Sequence, residues 1–187
     1  MRIKPEIRIM GIDDGWFSKG DDTVLLVGVV FRGGFWIDGM VSTYISVDGH
    51  DATDQIVKMV CSSRYGDVRI LMLSGITFGG FNVVDIIRLY EETGIPVIVV
   101  VDRKPDPDAI ASALSHVGGE EERMRLMHRA GPLHETENKV LFQVCGIEVD
   151  TAREIVRKTS TPAHIPEPLR VSHIIASGIT RGEASRR

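Results

Sequence analysis

Apolar residues fall in short dense runs over the first hundred positions and in helical spacings after that. Residues 6–12 alternate and stop at Gly11-Ile12-Asp13-Asp14-Gly15, which predicts a strand ending in acidic residues. Residues 23–31 form a nearly continuous Val-rich run, the pattern of a strand buried on both faces. Arg32-Gly33-Gly34 signals a tight turn, and residues 35–45 read as the antiparallel return strand. After a loop through Asp48, Gly49 and His50, Asp51 or Thr53 caps a helix whose buried stripe is Ile56, Val57, Met59 and Val60. Residues 68–73 make a short buried strand and 75–80 a glycine-rich loop. Residues 81–93 form a helix closed by Gly94, and 96–101 a second buried strand. Beyond it the spacing predicts helices over 106–116 and 120–129, an edge strand over 139–144, and helices over 149–159 and 166–180.

Strand, helix, strand from residue 68 to 101 is a βαβ unit with parallel strands, and a right-handed crossover lays its first strand beside the first strand of the chain. The expected architecture is one α/β domain over residues 1–187: a ribonuclease H-like mixed sheet of order 3-2-1-4-5, strand 2 antiparallel, with flanking helices. A flavodoxin-like sheet is the alternative, and the early hairpin argues against its all-parallel start.

Composition narrows the partners. Hydrophobic residues are 43% and charged residues 26% of the 187, an ordinary globular mix. The net charge of −4 excludes a uniformly basic nucleic-acid coat. The charge is uneven, however: residues 151–187 carry seven basic and three acidic side chains, net +4. That excess suits either a solvated helical face or an end of the molecule that meets phosphate. Cys61 and Cys145 lack metal-ligand spacing and read as buried thiols in a reducing compartment. No secretory leader or membrane-length apolar run is recognisable, so a cytoplasmic location is expected. Oligomeric state is not legible.

Candidate chemistry gathers at strand ends, where such sheets bind ligands. Asp13 closes strand 1, with Asp14 beside it, and Ser74 closes the neighbouring strand 4. A carboxylate at each end could hold Mg²⁺ or Mn²⁺ against a phosphodiester, but Ser74 offers only a hydroxyl. Asp13-Asp14-Gly15 also fits a simple turn. Asp51 and Asp54 at the first helix start are either helix caps or further metal ligands, and His50 reads as a solvated loop residue. Gly75, Thr77, Gly79 and Asn82 surround a glycine-rich turn that could cradle a phosphate, although it is neither GxxxxGK[ST] nor GxGxxG. Arg170 and His173, three apart, share a face of the last helix, a cation and a possible ligand together.

GIDDG at 11–15, VDGHDAT at 47–53, GITFGGFNVVDI at 75–86 and IPEPLRVSHIIAS at 165–177 resemble a mainly archaeal family, domain of unknown function 99, across nearly the whole chain. That family is similar to endonuclease V, a Mg²⁺-dependent ribonuclease H-like nuclease that cuts near deoxyinosine in DNA or inosine in RNA. The resemblance implies that Asp13 is a metal ligand and that Asp51 or Asp54 stands for a catalytic glutamate. His173 would be the last active-site position, and Tyr44 would belong to the strand-separating segment. A metal set of Asp13, Asp51 and His173 follows, with Tyr44, Gly75, Thr77, Gly79, Asn82 and Arg170 facing nucleic acid. Ser74 stands where endonuclease V has an aspartate, and the Pro-Gly after Tyr44-Ile45 is missing. Three readings therefore stay open: a divalent-metal nuclease acting on DNA or RNA, an inactive relative that binds nucleic acid or nucleotides, and an interaction or assembly protein that uses an exposed apolar face and does no chemistry.

Overall fold

The computed structural model describes residues 6–160 and 165–184; the terminal Arg186 and Arg187 of the basic tail lie outside the described residues. β1 (Arg8–Asp14), β2 (Thr23–Arg32) and β3 (Trp36–Ser46) form an antiparallel meander. α1 (Ala52–Cys61) leads to β4 (Ile70–Ser74), which pairs parallel with β1. A small hairpin, β5 (Thr77–Phe78) and β6 (Asn82–Val83), precedes α2 (Ile86–Thr93) and β7 (Val97–Val101), which is parallel to β4. Then follow α3 (Pro107–Leu114), α4 (Glu120–Arg129), β8 (His134–Glu135), β9 (Leu141–Cys145), α5 (Val149–Thr159) and α6 (Glu167–Arg181). The seven-stranded sheet runs β3-β2-β1-β4-β7-β9-β8.

Three expectations need correction. The strand expected at the edge over residues 139–144 is β9, which lies inside the sheet because the short β8 caps it. The helix expected from residue 81 starts at Ile86, where Asp85 accepts the N–H groups of Ile87 and Arg88. Residues 81–85 serve the β5–β6 hairpin instead, turning through Gly79 and Gly80 at φ of 52° and 85°, a conformation that favours glycine. Cys61 is exposed at the end of α1 rather than buried.

Strand alternation sorts the core into two layers. Met10 and Ile12 of β1, Leu26 of β2 and Leu71 and Leu73 of β4 pack with Ile56 and Met59 of α1 and Leu89 of α2. On the other face, Ile9, Ile70, Met72, Ile98 and Val100 meet Ala152, Ile155 and Val156 of α5 and Leu169 of α6. Leu25, Val27 and Val29 meet Ala176 of α6.

α6 lies directly on β1. A Cβ on Gly11 would be driven into the Pro168 carbonyl and to 2.7 Å from the Pro168 Cβ. A Cβ on Gly15 would stand 2.6 Å from Cγ2 of Thr180. The two glycines bracket Asp13 and share its face of the strand, so they open the space through which the helix approaches.

Gly11→Ala should therefore destabilise the fold by about 1–3 kcal/mol, the range for overpacking. Gly66→Ala, where an added Cβ meets nothing within 4 Å, should stay within about 0.5 kcal/mol. Urea denaturation of both variants checks this.

Candidate functional site

Asp13 and Asp14 are sequence neighbours on opposite faces of β1. Asp14 turns toward the β5–β6 hairpin, where its Oδ2 accepts the Gly79 N–H at 2.6 Å. Asp13 turns toward α6. It is fully buried, and its Oδ2 accepts from Nδ1 of His173 at 3.0 Å. Its Oδ1 accepts the Asp14 backbone N–H at 3.0 Å. A carboxylate accepts only, so Nδ1 of His173 carries the proton of that bond and the ring orientation is set. Residues 160 apart are thus joined at the carboxyl end of the central strand.

Ser74 belongs to the same place. Ile12 pairs with Leu73, so Asp13 and Ser74 end adjacent strands, and by alternation both face the α5–α6 layer. Asp13, Ser74 and His173 are the sequence-predicted residues that the fold brings to one edge.

Asp51 and Asp54 are not brought there. They start α1, which packs on the opposite face of the sheet. Asp51 accepts from the Ser46 N–H at 3.1 Å, the Ser46 hydroxyl at 3.1 Å and Nδ2 of Asn82 at 2.6 Å. Asp54 is ion-paired with Arg88 across the exposed surface between α1 and α2. The three-ligand set Asp13, Asp51 and His173 does not assemble: among the described residues no group of three or more His, Cys, Asp or Glu side chains is poised around a common ion. The donor set at the β1 edge is one carboxylate with a neighbouring hydroxyl and imidazole. It falls short of a two-metal centre, and it suits one Mg²⁺ or Mn²⁺ held partly by water and substrate phosphate.

The residues expected at phosphate divide likewise. Asn82 is fully buried and holds the fold: Oδ1 accepts the Ala52 N–H at 3.0 Å, and Nδ2 donates to the Ser46 carbonyl at 2.9 Å and to Asp51. Gly79 holds Asp14 on one side and accepts the Asp48 N–H through its carbonyl at 2.7 Å on the other. Arg170 forms a two-pronged pair with Glu167, at 2.7 and 2.6 Å, and this partner raises the guanidinium above its ordinary value. Tyr44 is exposed on β3. Gly75 and Thr77 line a cleft of about 790 Å³ at the carboxyl ends of β4 and β7. Phe81, Ile110, Met124, Met127 and Leu133 give that cleft apolar walls, and Arg103 and Lys104 stand at it.

Two features escaped the sequence reading. Arg123 of α4 is 2% exposed and donates to the carbonyls of Gly118 (2.9 Å), Gly49 (3.0 Å), Asp48 (2.6 Å) and Phe81, with Nε2 of His50 at 3.1 Å. His50 is thus a partner of Arg123 rather than a purely solvated loop residue. A lone Arg in a charged helix carries no sequence signal of burial. Trp16 is half-exposed at a second cleft, about 260 Å³, that His173 also lines. An aromatic residue two positions after the strand-ending Asp14, outside any apolar periodicity, was the available signal. Cys145 shows no sign of a nucleophile, since burial pushes its thiol up.

Relatives share this fold and much of this sequence. A UPF0215 protein of Methanopyrus kandleri is 50% identical, covering 98% of this chain and 96% of its own. Another, from Methanothermobacter thermautotrophicus, is 53% identical over 98% of this chain and 92% of its own. A protein of unknown function from Archaeoglobus fulgidus superposes with a TM-score of 0.85 at 39% identity, over 92% of this chain and 97% of that one. Human endonuclease V superposes at 0.63 with 15% identity, over 94% and 84%. Endonuclease V of Ciona intestinalis, solved with inosine-containing DNA, superposes at 0.55 with 14% identity, over 88% and 82%. The mixed α/β fold is therefore that of endonuclease V. The family signature described as Endonuclease dU matches residues 5–180, and the chain belongs to that family.

Proposed function

We propose that this protein is a DNA endonuclease that acts at deoxyuridine, with Asp13 and His173 as its working pair. The observation that carries this reading is the hydrogen bond between the buried Asp13 carboxylate and His173 at the carboxyl end of β1. The family's description, Endonuclease dU, supports deoxyuridine as the substrate. The larger cleft, apolar and edged by Arg103 and Lys104, has the character of a pocket for a base drawn out of its strand.

In this reading the Asp13 carboxylate fixes the His173 tautomer by accepting Nδ1–H. Nε2 is then the atom that takes a proton from the attacking water as it bonds to phosphorus, and the oxygen of the broken P–O bond takes its proton from a solvent water as it leaves. Asp13 and Ser74 would hold a divalent cation, Mg²⁺ or Mn²⁺, whose chemistry is to neutralise charge on the phosphate. Arg170 serves the geometry of α6 through Glu167 rather than phosphate, and Asp51 and Asn82 hold the loops that shape the cleft.

Ser74 supports a second reading, an inactive relative that binds nucleic acid without cutting, because a serine replaces the carboxylate that a second cation would require. The two separate in one assay: labelled single- and double-stranded DNA with one deoxyuridine, the deoxyinosine counterparts and matching RNA, in Mg²⁺, Mn²⁺ or excess EDTA.

Cleavage of the deoxyuridine strands is expected with either cation, with loss of product in EDTA. Asp13→Asn and His173→Ala should each slow it by about 10²–10⁴-fold. Unchanged cleavage by Asp13→Asn overturns the assignment, and salt-sensitive binding with no product favours the inactive relative. Ser74→Asp adds a second carboxylate beside Asp13 and should tighten Mn²⁺ binding by calorimetry.

A further inference from the structure

We infer that the smaller cleft, between the end of β1 and the last turns of α6, is a subsite for one unpaired nucleotide of a DNA strand, with Trp16 as its stacking platform and Arg181 as its phosphate contact. The inference rests on the reading of the protein as DNA-acting and adds a second place of contact, apart from the larger cleft.

The cleft is built rather than incidental. Asp14, Gly15, Trp16, Phe17, His173 and Ser177 line it, with Arg181 and Glu183 at the C-terminal end of α6. The backbone that delivers Trp16 is fixed on both sides. Gly15 N–H donates to the Leu25 carbonyl at 2.8 Å, and Trp16 N–H donates to the Thr180 hydroxyl at 2.8 Å. Gly15 lies so close to Thr180 and Ala176 that no side chain fits between them. Yet Trp16 on this clamped segment is 49% exposed. A half-exposed tryptophan on fixed backbone, in the cleft that His173 also lines, offers an aromatic face to a ligand.

The volume, about 260 Å³, cannot admit a duplex. An aromatic face with a nearby cation is the combination that binds single strands: bases stack without sequence preference and phosphate meets the guanidinium. The acidic side chains do not defeat this. Asp14 is turned through the strand to the Gly79 N–H. Glu183 sits 3.9 Å from Arg181 with both side chains more than half exposed, a surface pair of small worth that a phosphate can displace. A strand crossing this subsite runs past His173, so Trp16 would hold a nucleotide flanking the bond to be cut.

Trp16 and Trp36 are the two tryptophans of the chain, so Trp36→Phe makes Trp16 a sole reporter. Titrating that variant with oligo(dT), which holds no deoxyuridine, should quench Trp16 fluorescence. Trp16→Ala should weaken oligo(dT) binding about 5- to 150-fold, the equivalent of about 1–3 kcal/mol for a base–aromatic stack. Trp16→Phe should retain most of the affinity, which separates stacking from a folding defect. Arg181→Ala should lower the slope of log K against log salt by about 1. Unquenched Trp16 together with wild-type affinity of Trp16→Ala overturns the subsite, even if Asp13→Asn abolishes cleavage and the catalytic reading stands. Quenching that persists while Asp13→Asn cleaves like wild type keeps the subsite and removes the catalytic reading.

Discussion

The approach of α6 to β1 is the constraint on which the site depends. A helix normally stands off a strand by the depth of the side chains between them. Here Gly11 and Gly15 remove that depth on the single face where Asp13 points, and Pro168, Ala176 and Thr180 come down against bare backbone. Only at this spacing does an aspartate, with one methylene, reach an imidazole on the helix above it. The GIDDG segment is therefore a packing motif and a chemical motif at once. The prolines flanking Glu167 belong to the same arrangement, since Pro168 is the residue that Gly11 receives.

The two-residue period of the strand decides the rest. It divides the Asp13-Asp14 pair, giving Asp13 to α6 and Asp14 to the β5–β6 hairpin. It places Ser74 with Asp13. It also separates both from α1, whose acidic residues hold Ser46, Asn82 and Arg88. Four acidic residues that look equivalent in sequence thus take four different jobs, and only one stays with the histidine.

Much of the architecture was legible because it rests on local pattern. The Val-rich β2, the Arg32-Gly33-Gly34 turn and the βαβ unit through β4 and β7 each carry their signal within a few residues. Asp13 and His173 were legible as candidates through motif resemblance. What was not legible depends on contacts distant in sequence. The Phe81 region was mistaken for helix because its side chains suit one, whereas Asn82 is held by Ser46, Asp51 and Ala52 some thirty residues earlier. β9 was read as an edge because a two-residue strand such as β8 leaves almost no pattern. Arg123 was invisible because its partners are almost all backbone carbonyls, which every residue possesses.

Arg123 has a bearing on the order of assembly. One guanidinium, without a carboxylate partner among its hydrogen bonds, ties α4 to two stretches of chain, with partners 42 to 75 residues away. Contacts of that separation form only after long loops have closed, whereas the β1–β2–β3 meander needs only hairpins. The meander can thus exist before the larger cleft does. By the same token, losing that one knot would release α4 from the Gly49 and Phe81 loops together, so one side chain sets the local stability of the cleft wall.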